Sequence, residues 1–163
     1  MSVVESRLAE LGYTLPAPPE PIGNYLSACR SGSIMWMAGV GSRRADGSRI
    51  SGKLGADLTV EEGYEAARWC ALNLLARMKM ELGDLDRVTR ILKVVGMVNS
   101  SPDFEEQARV VDGASDLFVD LFGEAGRHSR SAPGMAVLPN NTAVIVDCVI
   151  ETVGGGDNFD AAL

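Results

Sequence analysis

Two arginines and the only histidine of the chain stand together in the segment GRHSRS at positions 126–131. Alternate residues of an extended strand share a face, so His128 and Arg130 are predicted to point one way and Arg127 the other. Arg130 precedes a small, apolar stretch, where its planar guanidinium is suited to bind a carboxylate through two charge-assisted hydrogen bonds. A structural salt bridge to one of the 22 acidic residues is the alternative.

Three side chains are further candidates for chemistry. Tyr25 directly precedes the first predicted strand, where a tyrosine commonly packs with a hydrated hydroxyl. Asp147 lies within the apolar run VIVDCVI, and a carboxylate there requires a partner or exposure to water. His128 has an ordinary pKa of about 6.5 and could transfer protons, although a lone histidine near a helix C-terminus more often interacts with the helix dipole.

The familiar patterns of cofactor and metal sites are absent from the sequence. It contains no Walker loop, no glycine-rich dinucleotide fingerprint between a strand and a helix, and no G-x-S-x-G motif. A single histidine excludes a multi-histidine metal centre within one chain, and Cys29, Cys70 and Cys148 match neither a disulfide framework nor a zinc site. We expect no metal, no cofactor and reduced thiols.

Length and charge limit the class of protein. The chain has 163 residues, which suit a single domain over 1–163, and a net charge of −7 at pH 7. The acidic balance disfavours binding to nucleic acid. No run approaches the roughly 18 apolar residues that a membrane span requires, and the N-terminus lacks the pattern of a secretory signal. We therefore expect a cytoplasmic protein without nucleic-acid or membrane partners.

An N-terminal arm over 1–21 and a C-terminal tail over 154–163 flank the predicted core of the domain. Ser2 and Glu5 form a capping box for a short helix, and the proline-rich stretch at 16–21 must be extended. We expect the arm to lie against the domain and the glycine-rich tail to be flexible.

The first strands and the loop that follows them are predicted next. Short strands at 26–30 and 34–38 should form a hairpin, because Ser31-Gly32-Ser33 supplies a turn. The Gly-, Ser- and Arg-rich segment at 39–55 is predicted to be a mobile loop. Its cations could close over an anionic ligand; they are Arg43, Arg44, Arg49 and Lys53.

Two longer helices are predicted to lie between strands. Thr59 caps a long amphipathic helix that ends at Gly83. The later elements are a strand at 88–99, a helix at 103–122 and strands at 129–138 and 143–153. Pro133 should disturb pairing within its strand. Because both helices fall between strands, they should cover one face of a single mixed sheet, which makes the fold α+β.

The opposite face of that sheet is then left without helices. The apolar residues predicted to lie on it are Val94, Met97, Met135, Val144 and Val146. An uncovered apolar sheet face in a small acidic protein implies oligomerisation.

Taken together, these segments resemble the reactive-intermediate deaminase family, RidA/YjgF, formerly called the L-PSP endoribonuclease family. IGNY at 22–25 resembles the family's I-G-P-Y entry, and WMAGV at 36–40 resembles its second strand. PDF at 102–104 resembles its N-D-F helix start, and RSAPGMAVLP at 130–139 resembles its R-S-x-V-x-V-x-x-L-P signature. The resemblance covers residues 21–153. Within the family, the chain is similar to a subgroup with an N-terminal extension.

The resemblance implies a chorismate-mutase-like fold with two helices on one face of a mixed sheet, in a homotrimer whose sheets form a central barrel. Clefts between subunits would bind a small carboxylate, a 2-imino or 2-oxo acid, and hydrolyse the imine to a 2-oxo acid and ammonia. Arg130 matches the family's carboxylate-binding arginine, and Tyr25 matches its pocket tyrosine. The remaining positions of the implied substrate site are Ala38, Gly39 and Ala132.

Several residues of the family's site are replaced in this chain. His128 and Asp147 are therefore the candidates for proton transfer. The positions that usually hold cysteine, glutamate, serine and glutamine are occupied by Ala132, Ile145, Ala38 and Val40, respectively.

Three functions follow as hypotheses. The first is an imine hydrolase. The second is a non-catalytic trimer that binds a small carboxylate, which the replaced site residues favour. The third is a ribonuclease, which the family's former name suggests and the net charge of −7 disfavours.

Overall fold

Three α-helices and six strands alternate along residues 2–154, the part of the chain that the computed structural model describes. The helices are α1 (Val3–Glu10), α2 (Val60–Leu82) and α3 (Gln107–Phe122). The strands are β1 (Ala28–Ser31), β2 (Ile34–Gly41), β3 (Val88–Asn99), β4 (Ser129–Ser131), β5 (Gly134–Met135) and β6 (Val144–Thr152). From residue 155 onward, the predicted C-terminal tail lies outside the described residues.

The six strands belong to one mixed sheet with the order β1-β2-β6-β3-β4. β5 also pairs with β3, and both β4 and β5 run parallel to it. The other pairs are antiparallel. α2 packs on β2 and β6, α3 packs on β3, and the two helices contact each other. The predicted α+β fold, with two helices on one face of a mixed sheet, is confirmed.

Side-chain caps begin the first two helices as predicted. Ser2 accepts a hydrogen bond from the amide of Glu5 at 3.1 Å, and Thr59 accepts one from the amide of Glu62 at 3.2 Å. Each glutamate accepts the amide of its cap residue in return. α2 ends at Gly83, whose φ of 77° lies in the left-handed region that favours glycine.

The first helix holds the N-terminal arm against the domain. The carboxylate of Asp86 accepts the amides of Val3 and Val4 at 2.8 and 2.9 Å. Val4 and Leu8 are buried in the core. Helix α1 of the predicted arm therefore packs against the rest of the domain.

Helix α3 begins later than the predicted start at Asp103, so that boundary was wrong. The amide of Ser101 donates to the carbonyl of Leu54 at 3.0 Å, and Phe104 packs against the core. Because these contacts hold residues 101–106 against the loop before α2, the helix starts only at Gln107, without a side-chain cap.

The strand predicted over 129–138 is two short pieces, β4 and β5. Pro133 lies between them, has no amide to donate, and accepts a hydrogen bond from the amide of Val98 at 3.0 Å. The expected disturbance at Pro133 is confirmed.

Most residues predicted for the open face of the sheet lie on the other face. Val94, Val144 and Val146 are completely buried beneath the helices, and Met135 is half-buried. The error arises because β3 and β6 are apolar on both faces, so alternation alone does not tell which set meets the helices. The apolar residues that line the open face are Trp36, Val95, Met97, Ile145 and Val149.

The segment 39–55, predicted as a mobile loop, is instead packed at both ends. β2 continues as far as Gly41. Ile50 and Leu54 are buried, and the Ser42 hydroxyl donates to the carbonyl of Ile50 at 2.8 Å. Its longest exposed stretch is the tip between Ser42 and Ile50.

Gly113 marks the place where α3 crosses α2 most closely, since a Cβ atom there would overlap the carbonyl oxygen of Tyr64. In an open helix, a change from glycine to alanine stabilises by about 0.5–1 kcal/mol. We expect Gly113→Ala to destabilise the protein instead. It should lower the free energy of unfolding by about 1–3 kcal/mol, because the two helices must move apart to make room for the methyl group. Denaturant unfolding at constant protein concentration measures this change.

The exposed residue Asp120 of α3 provides the matched control for that measurement. Asp120→Ala should change the free energy of unfolding by less than about 0.5 kcal/mol. A Gly113→Ala protein that is as stable as the parent would contradict the close crossing of the helices.

Candidate functional site

A cavity of about 250 Å³ opens beside the end of β2. Tyr25, Gly39 and three arginines, Arg43, Arg49 and Arg77, form much of its wall. Cations beside an apolar surface suit a small organic anion. The remaining lining residues are Pro19, Glu20, Ile22, Val40, Gly41, Pro139, Asn140, Thr142 and Ile145.

Gly39 lies in a bulge of β2, where the pairing with β6 shifts register. A Cβ atom at Gly39 would lie 3.0 Å from the Cγ2 atom of Ile145, so the glycine lets the two strands approach closely. The bulge also turns the carbonyl of Ala38 away from the strand ladder, and this carbonyl accepts a hydrogen bond from Arg77 Nη1 at 3.3 Å.

Arg77 brings a buried charge to the cavity from the middle of α2. Arg77 is only 2% exposed, and its Nε atom donates a hydrogen bond to the carbonyl of Pro19 at 2.8 Å. Within residues 2–154, no carboxylate forms a salt bridge with it. Carbonyl dipoles alone therefore offset the desolvation of this guanidinium.

The base of the loop that carries the other two arginines is fixed by hydrogen bonds. The side-chain amide of Asn73 donates to the carbonyl of Arg43 at 2.7 Å. Arg43 and Arg49 face each other across an isolated bridge, and both are exposed. The loop backbone is thus held in place while two guanidinium groups extend from it.

Arg130 lies on the opposite edge of the sheet and contacts α3. Its Nη1 atom donates to Asp112 Oδ1 at 2.7 Å and to Ser115 Oγ at 3.0 Å, and its Nη2 atom donates to the carbonyl of Ala108 at 3.3 Å. The side chain of Arg130 is 24% exposed. The alternative of a protein salt bridge therefore applies to this residue, although part of its guanidinium fork stays accessible.

His128 joins the same network through Ser115. Its Nδ1 atom lies 2.6 Å from the carbonyl of Gly126, which can only accept, so Nδ1 carries the proton. Nε2 is then the acceptor for the Ser115 hydroxyl at 3.0 Å, and Ser115 accepts from Arg130. Burial lowers the pKa of His128 below its ordinary value, which favours the neutral ring.

The predicted direction of the two basic side chains is confirmed. His128 and Arg130 both reach Ser115, whereas Arg127 pairs with Glu124 at 2.9 Å on the other side. Ala132, predicted to be in the substrate site, packs against the hydrophobic core.

Asp147 lies half-buried on the open face of β6, close to the bulge of β2. Its Cβ atom would lie 4.0 Å from a Cβ at Gly39, and its strand neighbour on the same face is Ile145. Burial raises the pKa of the Asp147 carboxyl above its ordinary value. This carboxyl is therefore placed beside the cavity and holds a proton more readily than an exposed aspartate.

The sequence-predicted site residues thus form two groups rather than one. Arg130 and His128 lie at β4, while Tyr25, Ala38, Gly39 and Asp147 lie around β2 and β6. The sheet order places β4 three strands from β2, which is about 14 Å at the usual strand spacing. Within one chain the two groups do not share a cavity.

Sequence reasoning missed Arg77 and Ser115. A readable signal existed for Arg77, because a cation within the apolar stripe of an amphipathic helix requires a buried partner or a ligand. Ser115 offered no such signal, since a serine inside a helix is common and its contacts with His128 and Arg130 depend on the tertiary fold. Across residues 2–154, no three His, Cys, Asp or Glu side chains cluster as metal ligands would.

Comparison with known proteins identifies the family. A family model described as "YjgF/chorismate mutase-like, putative endoribonuclease" matches residues 5–152. The chain belongs to this family. Among residues 2–154, no helix combines the length and the hydropathy that crossing a membrane requires.

Similar proteins are found in a trypanosome and in bacteria. Protein TCP17 of Trypanosoma cruzi is 48% identical over 157 residues, which cover 93% of this chain and 98% of that protein. A protein of unknown function from Agrobacterium tumefaciens, whose crystal structure is known, is 41% identical in sequence. Its structure superposes with a TM-score of 0.84, and 92% of each chain is covered. A "putative endoribonuclease" from Shewanella oneidensis, also of known crystal structure, is 38% identical, with a TM-score of 0.88, covering 92% of this chain and 99% of the other.

The lowered pKa of His128 predicts how stability depends on pH. The folded state resists protonation of the ring, whereas the unfolded chain takes up that proton near pH 6.5. Stability from this group is present above about pH 6.5 and is lost as the pH falls toward the pKa of the folded state. Between about pH 7 and pH 5, the free energy of unfolding should therefore fall more steeply in the parent than in His128→Gln.

Denaturant unfolding of both proteins across that range measures the two slopes. Glutamine keeps an acceptor for the Ser115 hydroxyl but cannot titrate. A difference between the two slopes therefore reports the titration of His128 rather than the loss of a hydrogen bond. Parallel slopes in the two proteins would contradict a neutral, buried His128.

Proposed function

We propose that the protein hydrolyses 2-imino acids, or their enamine tautomers, to 2-oxo acids and ammonia in clefts between the subunits of a homotrimer. The observation that carries this proposal is the cavity that joins Tyr25 and Gly39 to three arginines, none of which pairs with a carboxylate of residues 2–154. Membership of the YjgF family and the matching Arg130 support the same chemistry.

Arg130 is the proposed anchor for the carboxylate next to the imine. Asp112 and Ser115 occupy its Nη1 atom and fix its direction, while Nε has no acceptor among residues 2–154. A ligand carboxylate can therefore bind at the accessible side of a guanidinium that is already oriented. Because Arg130 and Tyr25 lie at opposite edges of the sheet, a neighbouring copy must bring Arg130 to the cavity.

The open face of the sheet supports association of such copies. It carries Trp36, which is 47% exposed and lies opposite Val149, with Val95 and Ile145 further along the same face. Burial of an apolar sheet face of this kind favours oligomers.

The proposed reaction adds one water and releases one ammonia. The water oxygen bonds to C2 of the imine as the C=N electron pair moves to nitrogen, which takes up a proton. The resulting hemiaminal then loses its nitrogen as ammonia while the C2 oxygen becomes the carbonyl. A protonated imine and an oriented water make the addition fast, so positioning supplies much of the catalysis.

Asp147 is the proposed proton donor and acceptor in these steps. Its position beside Gly39 brings it near the cavity, and its raised pKa keeps proton exchange available closer to neutral pH. His128 is less suited, because both ring nitrogens are already bonded, to Gly126 and Ser115. We assign His128 a positioning role, exerted on Arg130 through Ser115.

A second candidate function is binding of 2-oxo acids without catalysis. Ile145 favours it, since an apolar side chain lines the cavity at the position where the family usually has a glutamate. The family description also contains the word endoribonuclease. A ribonuclease is the less favoured function, because a chain with a net charge of −7 is poorly suited to bind RNA.

Variants of Arg130 and Asp147 test the proposed hydrolase. Imines with neutral and acidic side chains are generated in situ by an amino-acid oxidase, and ammonia release is followed. We expect Arg130→Met to raise KM about 10–100-fold, because a charge-assisted contact to the carboxylate is lost. Asp147→Asn should lower kcat about a hundredfold or more, because proton transfer is lost.

Two neighbouring residues provide matched controls. Arg127→Met removes an exposed cation that pairs with Glu124, and Glu151→Gln removes a carboxylate further along β6. Both should retain the parental kinetics. Ammonia release no faster than the uncatalysed reaction, combined with saturable binding of 2-oxo acids, would support the non-catalytic alternative instead.

A further inference from the structure

We propose that the cavity selects imino and oxo acids whose side chain ends in a second carboxylate. The inference rests on the proposed function for the reacting end of the ligand and extends it to the distal end. It identifies the substrate class as the 2-imino derivatives of acidic amino acids.

The charges around the cavity are unbalanced. Arg43, Arg49 and Arg77 line it, and within residues 2–154 none of them forms a salt bridge. Glu20 is the one carboxylate in the lining, so the wall carries a net of two positive charges. In a chain with 22 acidic residues and a net charge of −7, this local excess of cations favours an anionic ligand.

Arg77 contributes a hydrogen-bond donor to the wall of the cavity. Its Nε and Nη1 atoms are bonded to the carbonyls of Pro19 and Ala38, and Nη2 has no acceptor in the described part of the chain. No fully enclosed polar side-chain atom there lacks a partner, so Nη2 must face accessible space, and the cavity is the space that Arg77 lines. A carboxylate in the cavity would bind this atom and complete the neutralisation of a buried charge.

The size and the apolar wall favour a carbon chain with a terminal carboxylate over an inorganic anion. A volume of about 250 Å³ is many times the roughly 10–15 Å³ that a single water needs, so the cavity has room for an organic acid of several carbon atoms. Val40 and Ile145 give the carbon chain an apolar surface.

The two ends of the ligand then have separate binding groups. Arg130 of the neighbouring copy holds the carboxylate next to the imine, and the three arginines of the cavity hold the distal one. Water adds to C2 and ammonia leaves as in the proposed reaction, and the distal carboxylate is unchanged throughout. Arg43 and Arg49 are exposed and act as specificity residues, whereas Arg77 forms the floor.

Calorimetric titration of the full chain with two matched ligands tests the selectivity. 2-Oxoglutarate and 2-oxopentanoate share a five-carbon chain and differ in a terminal carboxylate against a methyl group. We expect 2-oxoglutarate to bind at least about tenfold more tightly. Equal affinities would overturn the inference, and so would inorganic phosphate displacing 2-oxoglutarate at similar concentration, which would mark a general anion site.

Variants of the exposed arginines assign the selectivity to the cavity. Arg43→Gln with Arg49→Gln should reduce the preference for 2-oxoglutarate at least about tenfold without changing the melting temperature, because both side chains lie in solvent. Arg44→Gln is the matched control, since Arg44 belongs to the same loop but pairs with Glu65. A preference that survives the double variant would overturn the inference.

Kinetics separate this inference from the proposed function. Faster ammonia release from the imine of glutamate than from the imine of 2-aminopentanoate supports both. Release from the two imines at equal kcat/KM leaves the hydrolase intact and rejects the selectivity. Arginine-dependent binding of 2-oxoglutarate without turnover of either imine rejects the hydrolase and leaves the selectivity.

Discussion

Strand order keeps the two groups of candidate site residues apart within one chain. β4 with Arg130 lies three strands from β2 with Gly39, and the spacing of a hydrogen-bonded sheet is fixed. Arg130 extends toward Asp112 and Ser115 of α3, not across the sheet. Burial of the open apolar face of the same sheet would favour association of copies, and the proposed association would bring the edge of one copy to the cavity of another.

The guanidinium groups of Arg130 and Arg77 are held in place by different kinds of contact. Arg130 is oriented by a carboxylate and a serine, and His128 supports that serine as a neutral acceptor. Arg77 is buried against backbone carbonyls, one of which is freed by the bulge of β2. An ion pair fixes direction but reduces the net charge offered to a ligand, whereas carbonyl dipoles leave most of the charge in place. Of the two groups of candidate residues, the one around the cavity is therefore the more strongly cationic.

Local signals made much of the fold predictable. Ser2 and Thr59 cap helices through their own side chains, and Gly83 ends α2 with a left-handed φ, so short-range chemistry decides these boundaries. The start of α3 was not predictable in this way, because Ser101 and Phe104 are held by contacts with residues distant in sequence. The face of an all-apolar strand likewise depends on where the helices pack.

The candidate site was predictable only in part for the same reason. A resemblance of short motifs pointed to Arg130, Tyr25 and Gly39, since these residues stand in recognisable segments. The charges of the cavity come from a loop and from the middle of a helix, and only the fold brings Arg43 and Arg77 together. The sequence allowed either a ligand or an acidic residue of the protein as the partner of Arg130. In the fold, Asp112 binds Nη1 of Arg130 and leaves part of the guanidinium accessible.

Complementation between two weakened variants, assayed at substrate concentrations below the KM of the parent, tests most directly whether a site is shared between subunits. Arg130→Met and Tyr25→Ala proteins are each assayed for imine hydrolysis, then unfolded together and refolded as a mixture. If Arg130 and Tyr25 come from different subunits, random association restores about a quarter of the sites, and activity returns to about that fraction of the parent. A mixture that is no more active than the average of its two components would contradict a site shared between subunits.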